Sequence, residues 1–331
     1  MDISVSLTIV LLLVLAAEFV NGWTDAPNAI ATVVSTRVLS PHRAIAMAAA
    51  FNILGAIVTG TAVATTIGTG IVKPEVIGLH TVASAMLAIV IWSTVAWRWG
   101  VPTSETHELV AGLAGAGLAT AGTSVLLWEG WQRVLVGLAL STVLGFLAGF
   151  IVMITIYRLF ARATPTFIRR FFGRAQILSA AFMAFSHGSN DGQKFMGTFA
   201  LALFLGGVLP EFHVSIWMIL ICSLVMGLGT SFGGWRIIRT MGFRLTKLEP
   251  VNGFAAESAA SLTILLASSL GIPLSTSHTI ITAIMGVGAT RRLSAVRWGV
   301  TRQIVLTWLL TFPVCGGLGF LLALVLKPLF W

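Results

Sequence analysis

From Val134 to Ile156 the chain runs without one charged side chain. A helix rises about 1.5 Å per residue, so such a run reaches across the roughly 30 Å of a bilayer's hydrocarbon core. Ile3–Ala17 and Trp217–Leu228 are apolar in the same way. Only 9% of the 331 residues are charged and 57% are hydrophobic, too little charge to cover a water-soluble domain of this length. The expected fold class is an all-α polytopic membrane protein. A formal net charge of +9 would otherwise point to nucleic acid. Here the Lys and Arg cluster in loops between apolar runs, as the positive-inside rule predicts, so no nucleic-acid partner is expected. The opening "MDISVS" carries an acid and no base, unlike a cleaved signal peptide. Cys222 and Cys315 lie in apolar runs and carry no redox or metal reading.

Two phrases are written twice. "EFVNGWTDAPNAIAT" (Glu18–Thr32) overlays "AFSHGSNDGQKFMGT" (Ala184–Thr198), matching Phe19 to Phe185, Gly22 to Gly188, Asp25 to Asp191 and Thr32 to Thr198. "GVPTSETHELVAG" (Gly100–Gly112) overlays "GIPLSTSHTIITA" (Gly271–Ala283), matching Gly100, Pro102, Ser104, Thr106 and His107 to Gly271, Pro273, Ser275, Ser277 and His278. Two pairs in the same order at nearly the same offset indicate duplication. The expected division is a first repeat over 1–157 with a hairpin at about 77–121, a basic cytoplasmic linker over 158–174, and a second repeat over 175–331 with a hairpin at about 253–290.

If each Gly-x-Pro turn lies within the membrane, each repeat has three full spans plus one re-entrant hairpin. Three is odd, so the second repeat is inverted. With both termini outside, fifteen of the 20 Lys and Arg fall inside, and only Lys73, Arg133 and Lys327 fall outside. Arg98 and Lys194 remain within the membrane portion. This segregation is what the positive-inside rule asks of a plasma-membrane protein, and it is lost if the hairpins span. Trp128 and Trp131 read as part of an interfacial aromatic belt.

Broken helices at membrane depth need a reason, because free backbone there must be buried in protein or line a cavity. A helix start offers unpaired N–H groups and the positive end of its dipole, which attract an anion. Ser104 and Thr106, with Ser275, Thr276 and Ser277, would add hydroxyls around two such starts. The plainer alternative is that they only cap. Asp25 and Asp191 supply intramembrane negative charge, which is costly and marks ion or proton pathways. Asn21, Asn28 and Asn190 would add carbonyl oxygens beside them. The neighbouring Gly residues and Pro27 suggest unwinding that frees backbone carbonyls. Oxygen-rich sites of this kind suit Na⁺ at Asp25 and Asp191, and a lone carboxylate suits a proton. No other cofactor is expected.

These phrases resemble the PiT family of inorganic phosphate transporters. The resemblance rests on "NGWTDAPNAIATVVSTRVLSP" (Asn21–Pro41), "AFMAFSHGSNDGQKFMGTFALAL" (Ala181–Leu203), "GFAAESAAS" (Gly253–Ser261) and "GIPLSTSHTIITAIMGVGA" (Gly271–Ala289), and nearly the whole chain follows the bacterial form. It implies a secondary transporter, commonly a homodimer, that moves phosphate with Na⁺ or H⁺. It implies coupling-cation roles for Asp25 and Asp191, phosphate roles for Ser104, Thr106, Ser275, Thr276 and Ser277, and a functional Glu257 whose first-repeat partner reads as Asn52.

The chain also departs from that pattern. Glu105 stands in the first hydroxyl triplet, where its charge complements the dipole but repels an anion. The expectation is that it points away and pairs with Arg98 or Lys194. Thr24 replaces a His common in the family's first phrase, and Lys194 replaces the Asn28 of the first repeat. Lys194 is a candidate for contacting phosphate, for neutralising Asp191, or for a structural ion pair. His107 and His278 are expected to brace the hairpins.

An intramembrane serine hydrolase built on Ser104 and His107 is disfavoured, because a catalyst needs one asymmetric site and this signature occurs twice. A channel needs no pair of buried acids. The chain is therefore expected not to be an enzyme. Sulfate is the rival cargo; hydrogen phosphate carries a proton that nearby carboxylates can read, and sulfate carries none. The expected mechanism is alternating access, with the basic linker solvated or touching anionic lipid.

Overall fold

A computed structural model describes residues 4–329. Met1–Ile3, on which the signal-peptide expectation rests in part, and the last two residues lie outside the described residues. Twelve α-helices account for most of the described chain. Ser4 caps the first, α1 (Val5–Ser35), by accepting from the Leu7 N–H at 3.1 Å. There follow α2 (Pro41–Val58), α3 (Ala62–Gly70), α4 (Leu79–Trp99), α5 (Glu105–Ala121) and α6 (Trp128–Leu159). Thr164 caps α7 (Pro165–Leu205), with proline at its first position, where the missing N–H costs nothing. Then come α8 (Ile216–Phe232), α9 (Trp235–Arg239), α10 (Pro250–Ser269), α11 (Thr276–Ala289) and α12 (Trp298–Leu326).

Among the described residues, α1, α2, α4, α6 and α12 are each long and apolar enough to cross a membrane. α8 with its continuation Trp235–Arg244, bent by 59°, makes a sixth span if counted as one. α7 is the longest helix at 41 residues, yet His187, Asp191, Lys194 and three arginines dilute its apolarity. The outer faces of α6 and α12 carry exposed Leu144, Leu147, Ile151, Leu309, Leu310 and Leu321, a surface suited to lipid chains.

α1 and α7 pack against each other, and the other contacts exchange around them in pairs. α1 packs on α8 and α7 on α2; α1 on α4 and α7 on α10; α5 on α12 and α11 on α6. Small residues allow the close approach. A Cβ on Gly22 would stand 2.2 Å from the Met226 carbonyl oxygen on α8, and one on Gly188 would stand 2.0 Å from the Asn52 carbonyl oxygen on α2. Such crossings replace the hydrophobic drive that lipid does not supply.

This packing corrects one expectation. Pro27 and the neighbouring glycines were read as unwinding points, but α1 runs unbroken through Asp25 and Pro27, and α7 through Gly188 and Asp191. The glycines serve helix contact, and Pro27 removes only one ladder bond from a buried helix. The basic 158–174 stretch is helical from Pro165 onward. The breaks fall elsewhere. α4 ends at Gly100 (φ +71°) and the Gly271 following α10 has φ +66°, a left-handed turn that glycine adopts without strain. Short non-helical stretches then lead into α5 and α11.

Candidate functional site

Ser104 Oγ accepts from the His107 N–H at 3.4 Å, and Ser275 Oγ accepts from the His278 N–H at 3.2 Å, so each serine caps its helix. Among the described residues, the N–H groups of Glu105 and Thr106, and of Thr276 and Ser277, have no acceptor. These unpaired donors are what a helix start offers an anion. The two starts meet: Thr106 Oγ1 donates to the Leu274 carbonyl at 2.7 Å, and the His107 and His278 rings lie 4.6 Å apart, edge to face. Phe312 and Trp308 of α12 cover those two rings. Ser104, Thr106, Ser275, Thr276 and Ser277 are all buried.

The acids of α1 and α7 lie against the second start. Thr276 Oγ1 donates to Asp191 Oδ2 at 2.8 Å, Ser277 Oγ donates to Asp25 Oδ1 at 3.2 Å, and Asn28 Nδ2 donates to Ser277 Oγ at 2.8 Å. His187 Nε2 stands 3.3 Å from Asp191 and 4.0 Å from Asp25. Lys194 Nζ is ion-paired with Asp191 Oδ1. The expected Asn21 and Asn190 are close in sequence but turned elsewhere, donating to Glu18 at 3.1 Å and Ser268 at 2.9 Å.

The two acids differ in what they leave unsatisfied. Among the described residues, Asp25 Oδ2 and Asn28 Oδ1 are buried without a donor, as are Asn21 Oδ1 and Asn190 Oδ1. Buried acceptors of this kind suit a small hard cation, which takes oxygen ligands. Asp191 has a donor or cation on each oxygen. The ligand atoms of Asp25, His187 and Asp191 lie within 4.8 Å of one another, a spacing that a metal ion would bridge. The Lys194 ammonium already on Asp191 opposes a multivalent ion there.

Glu105 is buried, but its expected partner is absent. Arg98 is exposed and Lys194 is committed to Asp191. Instead, Thr24 Oγ1 lies 2.9 Å from Glu105 Oε1 and 2.8 Å from the Val20 carbonyl. Ser93 Oγ contacts Glu105 Oε1 at 3.1 Å and also Glu108 Oε2. The two hydroxyl protons are shared among three acceptor oxygens, those of Val20, Glu105 and Glu108. Arg98 contributes its carbonyl, which accepts from Arg236 Nη1 at 2.8 Å beside the α4 break. Glu257 is held by three donors, Thr32, Ser179 and Gln176, the last at 3.1 Å. Its expected counterpart Asn52 is on α2, donating to Thr230 at 3.1 Å and contacting His187, so the two do not form a matched pair.

Several members of this cluster carried no sequence assignment: His187, Glu18, Glu108, Ser93 and Gln176. His187 was legible, since the overlay that matches Asp25 to Asp191 sets it opposite Asn21. Ser93 and Gln176 had no local signal; only the fold brings them to an acid.

Residues 21–319 match the model of the phosphate transporter family. A chain from Rhizobium meliloti described as "Probable low-affinity inorganic phosphate transporter" is 43% identical over 300 residues, covering 90% of each chain. A chain from Bacillus subtilis with the same description is 37% identical and is covered in full, as is this one. Among solved structures, one titled "The sodium-dependent phosphate transporter" superposes with a TM-score of 0.90 at 27% identity, covering 98% of this chain and 100% of that one.

Proposed function

Because the chain belongs to the phosphate transporter family, we propose that it imports inorganic phosphate by alternating access, driven by Na⁺ or H⁺. The observation that carries this reading is the meeting of two helix starts, each with unpaired N–H groups, the second of them in contact with Asp25 and Asp191. In this reading the phosphate is held by Ser104, Thr106, Ser275, Thr276, Ser277 and the free N–H groups around them. The coupling cation binds at Asp25 with Asn28, and its charge lowers the cost of placing an anion at that depth.

The exchanged packing pairs support two inverted repeats, 1–157 and 175–331, each with a re-entrant hairpin, α4–α5 and α10–α11. The elbows are latched alike: Thr240 Oγ1 donates to the Gly100 carbonyl at 2.7 Å, and Thr66 Oγ1 to the Gly271 carbonyl at 2.8 Å. Releasing one latch while keeping the other would open the site to one side only. The charge segregation supports both termini outside, in the plasma membrane, and the family resemblance supports a homodimer.

The test is uptake of labelled phosphate and labelled sulfate into proteoliposomes, with Na⁺ and pH gradients imposed separately. Phosphate uptake that follows one of the two gradients is expected. Uptake independent of both gradients, or sulfate carried equally well, would overturn the reading.

A further inference from the structure

The two aspartates occupy matching places in the duplicated phrases, yet their surroundings are not equivalent. Beside Asp25 the matching residue is Asn28; among the described residues its Oδ1 and Asp25 Oδ2 are both buried without a donor, and Ser277 Oγ contacts both side chains. Beside Asp191 the matching residue is Lys194, whose ammonium pairs with Asp191 Oδ1 while Thr276 and His187 cover Oδ2. Lys194 is wholly buried, on a helix that positions it one turn from its partner. A primary ammonium on a fixed stem delivers the same single positive charge to a carboxylate that a bound Na⁺ delivers, and it cannot dissociate.

We infer that Lys194 is a tethered cation that takes the place of a coupling ion at Asp191, so that the transport cycle draws on one mobile cation, at Asp25. This rests on the proposed cation-coupled transport and specifies its ion requirement. Desolvating the ammonium is costly. That cost is offset by the pairing with Asp191 Oδ1, the oxygen that Thr276 and His187 do not cover. A mobile ion and a tethered one have different consequences. The first contributes the free energy of its gradient at each turnover; the second contributes only the charge balance that lets an anion approach Thr276 and Ser277.

The experiment compares wild type with Lys194→Asn, which installs the residue of the first repeat. Two readouts are taken: the order of phosphate uptake in the driving cation, and the rise of melting temperature of the purified protein with NaCl against choline chloride. Wild type is expected to be first order. Lys194→Asn is expected to be slower, to approach second order, and to gain a salt-specific stabilisation greater than that of wild type. If Lys194→Asn proves unstable, Asp191→Asn/Lys194→Asn removes both charges and is expected to fold and show wild-type salt stabilisation. A second-order wild type, or a Lys194→Asn protein with unchanged order and no added stabilisation, overturns the inference. Wild-type uptake indifferent to any cation gradient would instead sink the coupled-transport reading, leaving the salt-dependent melting comparison to decide the place of Lys194.

Discussion

Asn28 and Ser277 stand 249 positions apart, yet the Asn28 amide donates to the Ser277 hydroxyl at 2.8 Å. One hydroxyl thereby joins the proposed cation residue to the proposed phosphate residues, since the same Ser277 oxygen contacts Asp25. Asn28→Ala removes both the amide donor and the unpartnered acceptor. A lost bond to a charged centre is worth about 1.5–3 kcal/mol, so cation affinity is expected to fall about tenfold or more, read as the half-saturating cation concentration for uptake. An unchanged value would remove Asn28 from the cation site.

Asp25→Asn and Asp191→Asn are expected to separate activity from stability. Among the described residues, Asp25 has no ion-pair partner closer than His187 at 4.0 Å, so its neutral variant should fold normally and lose gradient-driven uptake. Asp191→Asn leaves Lys194 as an unpaired buried charge, at a cost of about 3–5 kcal/mol. Melting curves in detergent check the difference. Equal melting temperatures for the two variants would contradict it.

Glu257 is predicted to be a structural joint as well as a polar group. It receives Thr32 from α1 and Gln176 and Ser179 from α7. Glu257→Ala leaves the Thr32 hydroxyl and the Gln176 amide without that acceptor, each costing about 1–3 kcal/mol, while Ser179 keeps the Gln176 carbonyl at 3.2 Å. A large drop in melting temperature is expected, with Glu257→Gln intermediate because its remaining carbonyl still accepts. A melting temperature for Glu257→Ala close to wild type would show that water replaces the carboxylate.

The elbow latches should act in opposite senses. Thr240→Val frees the Gly100 carbonyl and Thr66→Val frees the Gly271 carbonyl, each removing about 1 kcal/mol, enough to shift a two-state balance about fivefold. If the elbows belong to opposite faces, one variant should raise and the other lower the apparent affinity for external phosphate. Shifts in the same direction would mean that both latches serve one face.

Most of the architecture follows from what the chain spells locally. Apolar run length gives the helices, and the Gly-x-Pro phrases mark both breaks close to where they occur, because left-handed glycine and serine caps act within a few residues. The acids and hydroxyls of the duplicated phrases also come together in the fold, Thr276 on Asp191 and Ser277 on Asp25. Three features could not be read that way. Gly22 and Gly188 resemble helix breakers in isolation; only the neighbouring α8 and α2 backbones show that glycine there is a contact surface. Glu105 was expected to seek a cation, but Ser93 and Thr24 reach it through packing of α4 and α1. Glu257 and Asn52 are expected to be partners across the repeats, whereas α2 and α10 present those side chains to different neighbours.

The bond from Ser277 to Asp25 spans 252 positions, and that from Thr276 to Asp191 spans 85. During synthesis, Asp25, Asp191 and Lys194 must therefore enter the bilayer well before the hydroxyls that complete their surroundings leave the ribosome. A nascent chain arrested ahead of α11 would hold these charges without their final partners, and membrane quality control should recognise it as unfinished. Truncations ending before Thr276 should accordingly be degraded in cells rather than accumulate as inert fragments.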